Sequence, residues 1–107
     1  AGEAAALILL MSKKTFTQNG KDNAWHLSDA GCAAGFLFLE AESRGLYAHP
    51  MAGFDKTKAR EIFRIPEDLD IIEVIAVGWP SDAAALPETL REQEYPKPRM
   101  SADKFLL

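Results

Sequence analysis

Seven consecutive residues near the middle of the chain have the composition expected of a segment that contacts a planar ligand. They are His49-Pro50-Met51-Ala52-Gly53-Phe54-Asp55, and the first formal charge among them is Asp55. Proline fixes its own φ, and glycine permits a close approach that a Cβ atom would block, so this backbone can lie flat against an aromatic ring. Most connections of this composition only join two helices, and the local pattern alone favours that simpler interpretation.

Other residue types that perform chemistry are scattered along the chain. Neither His26 nor His49 has a carboxylate or thiol beside it at ligand spacing, which argues against a metal site. Trp25-His26 is followed by Ser28-Asp29, which includes the residue types of a catalytic triad. Adjacency in sequence does not create triad geometry, and the Ser or Asp is better explained as a helix cap.

Lys97 and Arg99 form a basic pair near the C-terminus. Cations two residues apart in an extended segment project to one side, and a guanidinium can donate two parallel hydrogen bonds to phosphate oxygens. The pair is therefore a candidate phosphate site, although a solvated basic tail is the simpler interpretation.

The seven-residue segment follows a long predicted helix, from about Asp29 to Arg44. Ser28 or Asp29 is its expected cap, and Gly45 supplies a left-handed C-terminal residue. Its middle is apolar nearly all round, so we expect burial on most sides. Gly31 and Gly35 lie four apart on one face, which predicts close packing against another backbone.

A second helix and two strands complete the predicted frame. The helix runs from Lys56 to Phe63, with Asp55 as its cap. The apolar run from about Ala6 to Ser12 is interpreted as a central strand covered on both faces, and the β-branched run from Ile71 to Val77 as a second buried strand. Two strands cannot cover so apolar a helix, so we expect association with another chain or with a further part of this one.

Length and composition narrow the class of protein. The 107 residues predict one domain, spanning 1–107, and 48% hydrophobic residues can support a packed core. A net charge of −4 argues against nucleic acid as a partner, and the apolar run at residues 4–11 is too short to span a membrane. The lone Cys32 excludes an internal disulfide framework, suits a reducing, cytoplasmic compartment, and is expected to be a small buried hydrophobe.

Several short motifs, taken in order, resemble the FMN-dependent nitroreductase family. Residues 45–55, GL-x-A-H-P-M-A-G-F-D, followed by a charged helix and Ile65-Pro66, resemble its flavin-contacting segment. Residues 24–34 resemble its run into the central helix, and residues 71–80, ending in Gly-Trp-Pro, resemble its late strand. The resemblance covers nearly the whole chain but only the later part of the family's usual length.

The resemblance implies a fold and a binding site. The fold is α+β: a partial nitroreductase-like sandwich, with a long buried central helix packed on a small sheet and completed by dimerisation. A backbone N–H near position 52 or 53 reaches the flavin N5, and the basic pair helps to hold the FMN phosphate. The implied FMN-binding residues, with no catalytic side chain and no metal, are Pro50, Met51, Ala52, Gly53, Lys97 and Arg99.

The resemblance also implies an activity and partners. Relatives are homodimers that transfer electrons from NAD(P)H through FMN to nitroaromatic, quinone-type or other small aromatic acceptors. Their C-terminal segments often reach the partner, a role open here to the apolar residues 105–107.

Two departures from the family pattern leave the activity open. No Arg-Arg-Ser-type phosphate motif occurs in the chain, and Ala52 stands where some relatives carry an acidic residue. The alternative interpretation is a flavin-free dimeric interaction or small-ligand module that kept the fold and lost the chemistry.

Overall fold

The computed structural model describes residues 4–94 and 97–106. Three strands and two principal helices are followed by short helical turns. In chain order, the elements are β1 (Ala6–Lys13), α1 (His26–Ser43), β2 (Tyr47–Met51), α2 (Lys56–Phe63), β3 (Leu69–Gly78), a 3₁₀ turn (Ala83–Ala85), α3 (Glu88–Arg91) and a second 3₁₀ turn (Ala102–Lys104). None of the helices in these two ranges is long and apolar enough to cross a membrane. The mixed α+β class predicted from the sequence is confirmed.

The three strands form an antiparallel sheet in the order β1-β3-β2. The central strand is therefore β3, whose Ile75 is completely buried, in agreement with the prediction for residues 71–77. The prediction that residues 6–12 form a central strand covered on both faces was wrong. In the described sheet β1 lies at an edge, and Leu7 is 58% exposed. An apolar run predicts a strand, but it carries no information on strand order.

The two principal helices lie on opposite faces of this sheet. Residues paired across antiparallel strands point to the same face, so Ile8 shares a face with its partner Ile75. Ser12 lies four residues after Ile8 on β1 and therefore points to that face as well. Ser12 is hydrogen-bonded to His26, the first residue of α1, which places the start of α1 on that face. On the other face, apolar residues of β1 and of the end of α2 line a common groove: Leu7, Leu9, Met11, Phe63 and Ile65.

Helix α1 starts earlier than predicted and without the predicted cap. Its N-cap residue is Trp25, which makes no side-chain cap hydrogen bond, so Ser28 or Asp29 as the cap was wrong. The chain enters the helix through a turn in which Asn23 Oδ1 accepts from the Trp25 N–H at 3.0 Å. An Asn side chain readily bonds to the backbone two residues ahead. The resulting turn starts the helix before Ser28 and Asp29 are reached.

The C-terminal end of α1 confirms the predicted left-handed cap. Gly45 has φ 70°, a conformation that glycine adopts without steric penalty. The Gly45 N–H donates to the Glu42 carbonyl at 3.0 Å, and the Leu46 N–H donates to the Ala41 carbonyl at 2.9 Å. These two bonds satisfy carbonyls that the helix leaves free.

Within the single chain, α1 is not buried on most sides. Its buried residues are three alanines, Ala30, Ala34 and Ala41, whereas Phe36 is 73% exposed. Cys32, expected to be buried, is also exposed. A Cβ atom built on Gly31 or Gly35 would meet no described atom within 4 Å. A three-stranded sheet covers one stripe of an 18-residue helix and leaves the rest of its apolar surface uncovered.

The segment after α1 contains a strand that we did not predict. Tyr47–Met51 form β2 and pair with β3, although the pattern suggested an irregular connection up to Asp55. Pro50 obscured the strand, because proline cannot donate to a sheet ladder. It is tolerated here because β2 is an edge strand of the described sheet.

Helix α2 has the bounds that its sequence predicts, Lys56–Phe63. Asp55 is its cap, and its Oδ1 accepts from the Lys58 N–H at 2.9 Å. The helix ends at Arg64, which adopts φ 52° in the left-handed region, directly before the Ile65-Pro66 stop. Local capping signals are sufficient to define this element.

Candidate functional site

The candidate ligand-contacting segment begins as strand and ends as a turn. Pro50 and Met51 are the last two residues of β2, paired with Ile75 and Val74 of β3. Successive strand residues point to opposite faces, so Pro50 lies on the α1 side of the sheet and Met51 on the other. A flat ligand cannot contact both side chains on one ring face, so the backbone is the surface that these residues can offer in common.

Ala52 and Gly53 form a tight exposed turn immediately after the strand. The Phe54 N–H donates to the Ala52 carbonyl at 3.0 Å, which closes the turn around Gly53. A Cβ atom at Gly53 would have no described neighbour within 4 Å. Within residues 4–94 and 97–106, the N–H groups of Ala52 and Gly53 do not donate to any backbone or side-chain group. Both amides can therefore donate to an external acceptor.

The turn is held at both of its ends. On one side, Met51 is fixed by its pairing with Val74. On the other side, Asp55 caps α2, so three residues, 52–54, lie between the end of the strand and the helix cap. Such a short bridge between two regular elements positions its amides more precisely than a long loop would.

An open cleft of about 430 Å³ adjoins the segment on the sheet face away from α1. Alternate residues of β2, namely Tyr47, His49 and Met51, form one wall, and Trp79 stands at the end of β3. Apolar and aromatic walls of this kind are typical of small-molecule sites. We did not single out Tyr47 from the sequence. The two-residue spacing of Tyr47, His49 and Met51 was the available signal, but it is informative only once β2 is recognised as a strand.

The structure places Lys97 and Arg99 in an exposed segment without regular secondary structure after α3. Neither side chain makes a hydrogen bond or ion pair with any described residue, and none joins them to residues 50–53. Their cationic groups thus retain their hydrogen-bonding capacity for an anion. The role of this pair in phosphate binding stays a prediction.

A Ser-His-Asp cluster that the sequence did not suggest lies at the start of α1. Ser12 Oγ and His26 Nδ1 are 2.8 Å apart, and His26 Nε2 lies 3.8 Å from Asp70 Oδ2. The second distance is too long for a hydrogen bond, so the cluster lacks triad geometry and serves to join α1 to β1 and β3. In the described ranges, no three His, Cys, Asp or Glu side chains are grouped as a metal site requires.

Comparison with known proteins places this geometry in a family. A sequence profile of the nitroreductase family matches residues 1–79. An uncharacterized 15.4 kDa protein of Mycolicibacterium smegmatis is 34% identical over 105 residues, which cover 97% of this chain and 69% of that protein. An NADH dehydrogenase of Thermus thermophilus is 28% identical over 97 residues, which cover 89% of this chain and 42% of that protein.

Solved structures agree with the sequence match. An oxidoreductase containing FMN is 29% identical, with a TM-score of 0.88 over 97% of this chain and 54% of that one. A nitroreductase family protein of Clostridium difficile is 22% identical with a TM-score of 0.69, a likeness in fold, over 98% of this chain and 59% of that one. The chain therefore spans little more than half the length of these two solved proteins. By its sequence match over residues 1–79, this chain belongs to the nitroreductase family.

Proposed function

We propose that the protein is an FMN-dependent oxidoreductase. The observation that carries this proposal is the exposed turn at Ala52 and Gly53, with two free backbone amides and no obstructing side chain. The turn lies inside the segment that resembles the family's flavin contact, and an FMN-containing oxidoreductase is 29% identical over nearly the whole chain. A flavin ring fits this turn because it offers a flat apolar face and an N5 acceptor.

In this proposal the chain binds and orients the cofactor. The backbone at residues 51–53 would lie along the ring, and the amide of Ala52 or Gly53 would donate to the flavin N5, which is a hydrogen-bond acceptor in the oxidised ring. The cationic Lys97 and Arg99 hold the phosphate group. Bound FMN supplies the electron and hydride chemistry.

We further propose that a reduced nicotinamide cofactor, NADH or NADPH, is the reductant and that small nitroaromatic or quinone-type compounds are the acceptors. The resemblance to an NADH dehydrogenase of Thermus thermophilus supports the nicotinamide assignment. The cleft beside Met51 is walled by Tyr47, His49 and Trp79, which suits a planar aromatic acceptor. A cytoplasmic location fits the lone Cys32, which is exposed and not paired in a disulfide.

A second copy of the chain is proposed to cover the apolar outer face of α1. The outer face of α1 forms a wholly apolar groove of about 480 Å³, lined by Cys32, Gly35, Phe36, Phe38 and Leu39. Exposed apolar patches of this kind mark interaction surfaces. Packing α1 against its counterpart in a homodimer would bury this groove.

Cofactor binding is tested directly with purified protein. Flavin absorbance at about 450 nm, or quenching of FMN fluorescence in a titration, is the expected result. A parallel titration with riboflavin, which lacks the phosphate, separates ring binding from phosphate binding. Protein that is colourless and ignores both ligands would contradict the proposal and favour the flavin-free interaction or small-ligand module. If FMN binds, reduction of the bound flavin by NADH and by NADPH then tests the reductant.

A further inference from the structure

The side chain of Arg60 is the most extensively hydrogen-bonded one in the described parts of the chain. Its Nη1 donates to the carbonyl of Ile65 at 3.1 Å and to that of Pro66, and its Nη2 donates to the carbonyl of Leu69 at 2.8 Å. Its Nε also lies 3.8 Å from Glu67 Oε1. The planar guanidinium, with five N–H donors, can satisfy several carbonyls at once, which a lysine ammonium cannot do in the same geometry.

These bonds attach α2 to the central strand. Ile65 and Pro66 follow the end of α2, and Leu69 is the first residue of β3 and is paired with Lys13 of β1. Arg60 is a residue of α2, and its side chain therefore holds the turn between α2 and β3 in place. A charge-assisted hydrogen bond is about twice as strong as a neutral one, so this attachment is rigid for a turn near the surface.

The opposite end of α2 is joined to the proposed flavin-contacting turn. Residues 52–54 are the whole connection between Met51, paired with Val74 of β3, and Asp55, the cap of α2. Both ends of this connection are therefore attached to β3. Met51 is attached through the pairing of β2, and Asp55 is attached through the hydrogen bonds of Arg60 in α2. Because three residues leave little slack, any displacement of α2 must be absorbed by the torsions of residues 52–54.

We propose that Arg60 is a positioning residue, which holds the amides of Ala52 and Gly53 in a fixed orientation without touching the ligand itself. Its benefit to the flavin rests on the proposed function; its effect on the turn does not. Loss of the guanidinium should leave the helix formed but allow α2 to shift against β3, and the two amides should then sample several orientations.

The first experiment measures backbone order in the full chain without added flavin. Amide order parameters from ¹⁵N relaxation are compared for the wild type, Arg60→Met, Arg60→Lys and Lys58→Met. In the wild type, Ala52 and Gly53 should be near the rigid value of about 0.85, and Arg60→Met should lower them towards about 0.6. Arg60→Lys should lie between, because an ammonium reaches fewer carbonyls.

Lys58→Met is the matched control, because it removes the same charge from an exposed position of the same helix. It should leave both order parameters at the wild-type value. Low order at Ala52 and Gly53 in the wild type, or equal order in Arg60→Met and Lys58→Met, would overturn the positioning role.

A second experiment connects the turn to the flavin. The dissociation constants of oxidised and reduced FMN are measured for the same proteins at a temperature where all are folded. Arg60→Met should weaken binding of oxidised FMN about tenfold more than binding of reduced FMN, because N5 accepts a hydrogen bond in the oxidised ring and carries a proton in the reduced ring, and one hydrogen bond contributes about 1 kcal/mol. A general loss of stability would not change this ratio.

The two experiments fail separately. If the wild type binds no FMN while the order parameters respond as expected, the proposed function is wrong and the positioning of the turn stands. If FMN binds and the ratio is the same in Arg60→Met, Lys58→Met and the wild type, the role of Arg60 towards the flavin is overturned.

Discussion

Ser12 of β1 and His26, the first residue of α1, are joined by a 2.8 Å hydrogen bond between Oγ and Nδ1. The two residues are fourteen positions apart, and the His26 side chain is 16% exposed. Trp25 supplies no side-chain cap, and this long-range contact anchors the first residue of the helix to the sheet. It also orients α1 across the sheet face that carries Ile75.

Removal of this contact should destabilise the fold modestly. Ser12→Ala is expected to lower the free energy of unfolding by about 1 kcal/mol, the usual contribution of one hydrogen bond. The measurement is urea unfolding followed by circular dichroism. Ser28→Ala is the control, because Ser28 is an exposed first-turn residue and not the cap, and it should change stability by less than about 0.5 kcal/mol. Equal losses in the two variants would contradict the assignment.

The cap of α2 should have a measurable effect of its own. Asp55→Ala removes the acceptor for the Lys58 N–H and should cost about 1 kcal/mol, whereas Asp55→Ser keeps an acceptor and should cost less. Glu61→Ala, an exposed change on the same helix, controls for the lost negative charge. If Asp55→Ser is as unstable as Asp55→Ala in thermal or urea unfolding, the capping contact is not what stabilises the helix.

The centre of the sheet should be the position least tolerant of truncation. Ile75 is fully buried, so Ile75→Ala leaves a cavity and should lower the free energy of unfolding by about 2–5 kcal/mol. Ile62→Ala makes the same chemical change on α2 at a side chain that is 63% exposed, and it should cost far less. A difference between the two variants below about 1 kcal/mol in urea unfolding would be inconsistent with the observed burial.

Gly31→Leu should separate assembly from folding. Apart from the neighbouring backbone of its own helix, a Cβ atom at Gly31 would meet no described atom within 4 Å, and leucine is the better helix former, so the folded chain should tolerate the substitution. A closely packed counterpart of α1 would not, and the variant should therefore sediment as a monomer. Circular dichroism confirms that folding is retained. An unchanged dimer mass would contradict the proposed packing, and a monomeric wild type would contradict the dimer itself.

The basic pair should act on the phosphate of FMN and not on its ring. Arg99→Ala or Lys97→Ala should weaken FMN binding about 10- to 100-fold, the range expected for loss of a charge-assisted hydrogen bond, and should reduce its salt dependence. Riboflavin affinity should stay at the wild-type value, and so should FMN affinity in the control Lys104→Ala. An equal loss of riboflavin and FMN affinity in fluorescence titrations would indicate a structural effect instead.

Features with local causes could be predicted. The bounds of α2 follow from the Asp55 cap and the Ile65-Pro66 stop, and the left-handed end of α1 follows from Gly45. The buried strand at β3 follows from its β-branched run. The role of residues 50–53 in ligand contact rests on the family resemblance and stays a prediction, because the local pattern alone favours a simple connection.

Features that depend on distant partners required the tertiary structure. Strand order put β1 at the edge, β2 formed in spite of Pro50, and Ser12 anchors the start of α1 at His26. Because side chains alternate along β2, Pro50 and Met51 lie on opposite faces of the sheet. The turn at Ala52 and Gly53 is exposed to solvent. The burial of a residue, and the face of the sheet to which it points, depend on how two elements pack together. Apolar character shows that a surface is unfavourable in water, but it does not show which element packs against that surface.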